Sequence, residues 1–108
     1  MNWKNDLEGK YRHKLRKEAR EELLSAAEWY ESKKEGLGEE FYNEVENKIK
    51  QLSEKPDSHS KFFKDFRRAS LEKFPYWIMY IFQAPIVLIL SIWHKKKNPD
   101  TLIEKLDK

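Results

Sequence analysis

The side chains best suited to chemistry here are three histidines and two clusters of cations. His13, His59 and His94 are the imidazoles, and imidazole is the side chain whose charge changes near neutral pH. His13 and His59 stand isolated, with no second ligand at metal spacing, so no metal site is expected. His94 is the strongest titratable candidate. It directly precedes Lys95-Lys96-Lys97, and the pair Arg67-Arg68 lies upstream. Arginine can clamp a phosphate bidentately, and a lysine run holds polyanions electrostatically. The sequence has no Ser/His/Asp set, Gly-rich phosphate loop or paired-carboxylate signature. It also has no cysteine. That excludes disulfides, Cys-ligated zinc and thiol catalysis, and fits a reducing, cytoplasmic setting. No cofactor is expected.

The elements that must position these residues are legible from periodicity. Residues 1–9 read as an N-terminal extension without the apolar run of a secretory signal. From Lys10 to Leu15 the chain alternates, with Tyr11, His13 and Leu15 on one face, as a short, polar edge strand would. Between Lys17 and Lys34 the period becomes helical, with Ala19, Leu23, Ala26, Ala27 and Tyr30 as the apolar stripe. Gly36-Leu37-Gly38 breaks this helix. A second helix follows on the stripe Phe41, Val45, Ile49 and Leu52, with Glu39 and Glu40 in its first turn and Pro56 marking its end. The short glycine-containing connection predicts an antiparallel helical hairpin.

Three strands are expected after the loop 55–61: Phe62–Leu71, Phe74–Phe82 and Ile86–Trp93, the last two split by a turn at Gln83-Ala84-Pro85. The tail from Asn98 could add a terminal turn of helix. The fold class is thus α+β: a strand, a helical hairpin and a three-stranded antiparallel meander (β-α-α-β-β-β), with the helices on one sheet face. A membrane helix is the rival reading of 74–93, which is uncharged over about a bilayer's length. Pro75, Gln83, Pro85 and the β-branched, aromatic bias favour strands, so no membrane is expected.

Read as strands, this block is apolar on both sides. Tyr76, Ile78, Tyr80 and Phe82 share one face of the first strand, and Trp77, Met79 and Ile81 the other. In the second strand Ile86, Leu88, Leu90 and Ile92 alternate with Val87, Ile89 and Trp93. Two helices cover one face, so the tail, another chain or a ligand must cover the second. Trp77, Met79, Ile81 and Trp93 are the candidate partner-binding residues. The bulk numbers agree with one domain: 108 residues, 39% hydrophobic and 38% charged, with four Trp, five Tyr and six Phe to fill the core. The net charge of +3 is unevenly spread, with residues 1–20 and 55–108 basic and residues 21–54 acidic. If the flanks meet in space, they form a cationic side suited to phosphate backbones or an acidic partner.

An ordered set of short motifs resembles the RelE/ParE toxins of type II toxin–antitoxin systems. It comprises Glu18–Leu23, Ala27-Glu28-Trp29-Tyr30-Glu31, Gly36-Leu37-Gly38 with Phe41, Arg67-Arg68-Ala69, Lys73-Phe74-Pro75-Tyr76 and Ile78, and His94 followed by Lys97 and Pro99. The Trp29-Tyr30-Glu31 string, the Gly-x-Gly turn and Phe74-Pro75-Tyr76 are closer to the ParE-like branch. The resemblance implies a toxin domain over 10–99 followed by a tail, 100–108. It also implies a growth-inhibiting protein, of the kind that stabilises plasmids, neutralised by a cognate antitoxin, in a homo-oligomer or a hetero-oligomer with that antitoxin. Its implied target is DNA gyrase for the ParE-like branch, or ribosome-bound messenger RNA for the RelE-like branch. In the RelE-like case an mRNA endonuclease would use His94, Arg67 and Arg68 catalytically. Lys64, Lys95, Lys96 and Lys97 would hold nucleic acid, and Tyr80 would stack a base or donate a proton. Plainer roles compete: a strand-end histidine bonds structurally, adjacent arginines on a strand face opposite ways, lysine runs form wet turns, and Tyr80 belongs in a core. A non-toxic interaction module with the same fold is the remaining alternative.

Overall fold

Residues 11–106 are described by the computed structural model, so the expected extension 1–9 lies outside the described residues. A short strand, β1 (Arg12–Leu15), leads into two helices, α1 (Lys17–Lys33) and α2 (Leu37–Glu54). A 3-10 turn at Pro56–Ser58 connects them to four strands: β2 (Lys61–Phe63), β3 (Phe66–Ser70), β4 (Tyr76–Gln83) and β5 (Ile86–His94). Helix α3 (Pro99–Leu106) closes the described chain. The five strands form one sheet in the order β1-β5-β4-β3-β2, with β1 parallel to β5 and the other pairs antiparallel. The α+β expectation holds, and the meander gains a strand. The segment expected as a single strand, Phe62–Leu71, is divided at Lys64-Asp65. There Lys64 takes a left-handed backbone with φ of 49°, and Phe63 and Phe66 stack with centroids 5.9 Å apart.

The helical hairpin is fastened at its turn. Gly36 has φ of 86°, a conformation glycine adopts without steric cost. The Glu31 carboxylate accepts hydrogen bonds from the backbone N–H groups of Gly36 (2.8 Å) and Gly38 (2.9 Å). Those donors lie at the start of α2, where helical N–H groups lack partners and the dipole favours an anion. Gly38 is needed for a different reason: a Cβ there would lie 2.3 Å from the Ala27 carbonyl oxygen. The helices approach through that gap.

The helix-facing core is built from Ala19, Leu23, Phe41, Val45, Ile49 and Leu52 against Ile78, Tyr80, Val87, Ile89 and Ile92. Ile92 was expected to share a face with Leu88 and Leu90, and Trp93 with Val87 and Ile89. Both are reversed. Met79 pairs with Ser91 but Tyr80 pairs with Ile89, leaving Leu90 as an extra residue. A bulge of this kind flips the side-chain parity beyond it. Ile92 therefore joins the helix-facing core, while Trp93 joins Leu90 on the outer face. Glu22 of α1 anchors the distortion: its Oε1 accepts from the Ser91 hydroxyl (2.8 Å) and the Ile92 N–H (2.9 Å).

The outer face is covered in part by the chain itself. Leu102 and Leu106 of α3 pack on Met79, Leu90 and Trp93, with Phe62, Phe66, Trp77, Ile81 and Leu88 around them. Asn98 begins this helix, its side-chain oxygen accepting from the Asp100 N–H at 2.9 Å. No helix among the described residues is long and apolar enough to cross a membrane.

Candidate functional site

His94 ends β5, opposite Tyr76, and its ring meets the Tyr76 ring edge-on at 4.9 Å. Its Nδ1 accepts a hydrogen bond from the Lys96 N–H at 3.0 Å. In the neutral imidazole that arrangement leaves the proton on Nε2, so Nε2 is a donor. His94 also lines an open groove of about 480 Å³. Glu18, Glu21 and Glu22 from α1 form one wall, and Lys97 and Lys105 stand opposite.

Arg67 is committed elsewhere. It lies largely buried beside the 3-10 turn, donating to the carbonyls of His59 (2.6 Å) and Asp57 (3.4 Å) and pairing with the Asp57 carboxylate at 3.6 Å. Tyr80 supports the same turn. It is fully buried, its hydroxyl donates to the Pro56 carbonyl at 2.7 Å, and burial pushes its pKa up to about 12. Burial likewise lowers the pKa of His59, helped by Lys48 and Arg67. Arg68 points the opposite way from Arg67, onto the outer face, with its guanidinium 4.1 Å from the Trp77 ring centre.

The three residues expected to act together on a phosphate are therefore not assembled. Arg67 pairs with Tyr80 while His94 pairs with Tyr76. Four residues along β4 separate those levels, roughly 13 Å at the usual strand rise. Arg68 is on the other side of the sheet from the His94–Tyr76 contact. Of the lysines, Lys95 sits 4.6 Å from the Trp77 centroid and Lys97 5.0 Å from that of Trp93. Lys96 is exposed. Lys64 lies across the sheet at the β2–β3 turn, 5.3 Å from the Phe63 centroid. Among the expected partner-binding residues, Trp77 and Ile81 are half-buried, while Met79 (2% exposed) and Trp93 (4%) lie beneath α3. No group of three His, Asp or Glu residues able to hold a metal occurs among the described residues.

The motif residues converge in a different place, an aromatic cluster between the hairpin and β4. Tyr30 meets Phe41 at 5.2 Å and Phe74 at 4.8 Å, and Phe41 meets Phe74 at 5.1 Å and Tyr76 at 5.0 Å. Burial, then the neighbouring Tyr30, pushes the Tyr76 hydroxyl up to about 12. Lys73 pairs with Glu40, and the Glu44 carboxylate accepts from the N–H groups of Glu72 (2.6 Å) and Lys73 (3.3 Å). The spaced Tyr30, Phe41 and Phe74-Pro75-Tyr76 thus bind the β3–β4 connection to the helices. Sequence reasoning missed Glu22, Glu31 and Glu44, since a carboxylate that caps distant backbone looks like any solvated acid. The α3 contacts did carry a signal: Asn98-Pro99 is a helix-start pair, with Leu102 and Leu106 four residues apart.

Comparison with known proteins accords with this architecture. None of the curated proteins matches the sequence. Among solved structures, one described as the chromosomal ParDE TA system from P. aeruginosa superposes with a TM-score of 0.64 at 16% identity. The match covers 78% of this chain and 95% of that one. The family model described as the ParE toxin of type II toxin–antitoxin system, parDE, matches residues 14–99. That span runs from β1 to the first residue of α3, the greater part of the molecule, and the chain belongs to the ParE toxin family.

Proposed function

We propose that this protein is a cytoplasmic toxin held inactive by a cognate antitoxin, and that it arrests growth by acting on DNA gyrase. The observation that carries the choice of target is the dispersal of His94, Arg67 and Arg68. Cleavage of RNA by its own 2′-hydroxyl needs a base, a phosphate clamp and an acid converging on one phosphate. Here His94 already accepts a backbone hydrogen bond, Arg67 holds the 3-10 turn and Arg68 faces away. A toxin that works by binding needs no such convergence.

The antitoxin reading rests on the outer sheet face. Beside α3, Phe62, Phe66, Trp77, Ile81 and Leu88 remain only partly buried, a contiguous apolar strip of a kind that marks protein contacts. An antitoxin segment lying there would meet Trp77 and Ile81 directly. It would reach Met79 and Trp93 only by displacing α3.

Purified gyrase tests the target. The protein should inhibit supercoiling of relaxed plasmid and accumulate cleaved DNA complexes, while translating messages stay intact. Unimpaired supercoiling, or cut messages whose cutting stops in His94→Gln, would reject the reading. Growth restored by co-expressing the adjacent reading frame, with co-purification of its product, is the expected result for the antitoxin.

A further inference from the structure

We propose that the outer sheet face beside α3 binds single-stranded nucleic acid, with Trp77 as a stacking surface and Arg68, Lys95, Lys97 and Lys105 as phosphate contacts. This goes beyond the toxin reading and does not depend on the target being gyrase. Cations gather there on aromatic rings. The Arg68 guanidinium lies 4.1 Å from the Trp77 centroid and 5.7 Å from that of Phe62. Lys95 lies 4.6 Å from the same Trp77 ring. Lys97 and Lys105 lie 5.0 and 5.9 Å from the Trp93 ring.

Among the described residues, no carboxylate stands within ion-pair distance of these four. Four cations outside this patch, Arg16, Lys61, Arg67 and Lys73, each pair with an acid. The outward positions of β3 and β4 (Phe66, Arg68, Ser70, Trp77, Met79 and Ile81) include no acid at all.

Two like charges on one indole repel each other, and an anion between them removes that cost. A single strand brings phosphates at regular intervals together with planar bases, which is the combination that cationic grooves with aromatic platforms recognise. Duplex DNA keeps its bases stacked internally and cannot use Trp77 in this way. An acidic peptide would meet the charges but leave the indole without a planar partner.

The test is fluorescence anisotropy of the full chain with labelled oligo(dT) and oligo(U), each about 15 nucleotides long, and a duplex of equal length. Binding to a single strand should exceed binding to the duplex and fall with salt. Trp77→Ala should weaken it about ten-fold, from the loss of one stacked base, while Trp77→Phe retains most of it. Arg68→Gln and Lys95→Gln should each make the log–log salt slope shallower by about 0.7. Lys50→Gln, which removes the same charge from α2 on the opposite side, should leave the slope unchanged. The ratio of oligo(dT) to oligo(U) affinity identifies DNA or RNA as the source of the strand. The proposal is overturned by absence of binding, by a preference for duplex, by Trp77→Ala binding like the parent, or by an equal slope change in Lys50→Gln. Displacement by polyglutamate with no effect of Trp77→Ala would overturn it too, and mark an acidic-peptide site instead.

Discussion

Glu31 and Gly38 act as a single joint, because the carboxylate that caps α2 can reach it only where the two backbones touch. Bonding to Gly36 first, then Gly38 and Glu39, holds the Glu31 carboxyl below the usual glutamate range. A lowered folded-state pKa stabilises the protein fully above the unfolded value, and that contribution is lost as pH falls through the folded value. Glu31→Gln should therefore be less stable than the parent at pH 7, and the gap should close in acid denaturation series below about pH 4. Gly38→Ala forces a Cβ towards the Ala27 carbonyl oxygen. It should cost about 1–3 kcal/mol, seen as a lower urea midpoint with an unchanged slope. Glu22→Ala leaves the Ser91 hydroxyl and Ile92 N–H without their acceptor, both in a buried setting. The expected loss is about 1–3 kcal/mol by the same measurement. His94→Gln keeps the strand end intact and should leave growth arrest unchanged if the toxin acts by binding.

At the scale of elements, α3 is the piece whose removal changes the surface most. It attaches through Leu102 and Leu106 to Met79, Leu90 and Trp93, a small contact for an element joined by a short turn. Leu102→Ala should cost about 2 kcal/mol, towards the low end for a buried leucine because a terminal helix can readjust. The same variant should raise binding of a hydrophobic dye, since the outer ends of Met79 and Leu90 become reachable. Unchanged dye binding would mean that the sheet face is closed without α3. The β4–β5 pair, by contrast, is tied through both strands, β5 by Glu22 at its bulge and β4 by Tyr80 holding the 3-10 turn. It should be the slowest part of the molecule to exchange its amide hydrogens.

Across the whole molecule, charge and fold act together. Pairing β1 in parallel with β5 places Arg12 and Lys14 in the same sheet as the basic C-terminal half. The acidic residues 21–54 lie mostly in α1 and α2, over one sheet face. The molecule is thus polarised, acidic on the helices and cationic on the outer sheet. An antitoxin segment that spans Trp77 and Ile81 should carry acidic residues next to Arg68 and Lys95. Its binding should weaken as salt rises from low to physiological ionic strength, since exposed charges are screened within about 10 Å. Binding of the isolated antitoxin segment that is insensitive to both salt and Arg68→Gln would exclude this face.

The sequence by itself determined the order of elements, the helical hairpin and the doubly apolar β4–β5 pair, because each is written in local periodicity and turn chemistry. Alternation at Tyr76–Phe82 and the Phe41–Leu52 stripe needed no knowledge of distant partners. Only the tertiary structure decided the bulge at Leu90, the division of β2 from β3, and the carboxylates that hold backbone from afar. Each depends on groups far apart in the chain: Glu22 and Ser91 are 69 residues distant, and no local pattern records their meeting. The candidate site divided along the same line. Residue types named His94, Arg67 and Arg68, but strand register and the two faces of a sheet set them apart.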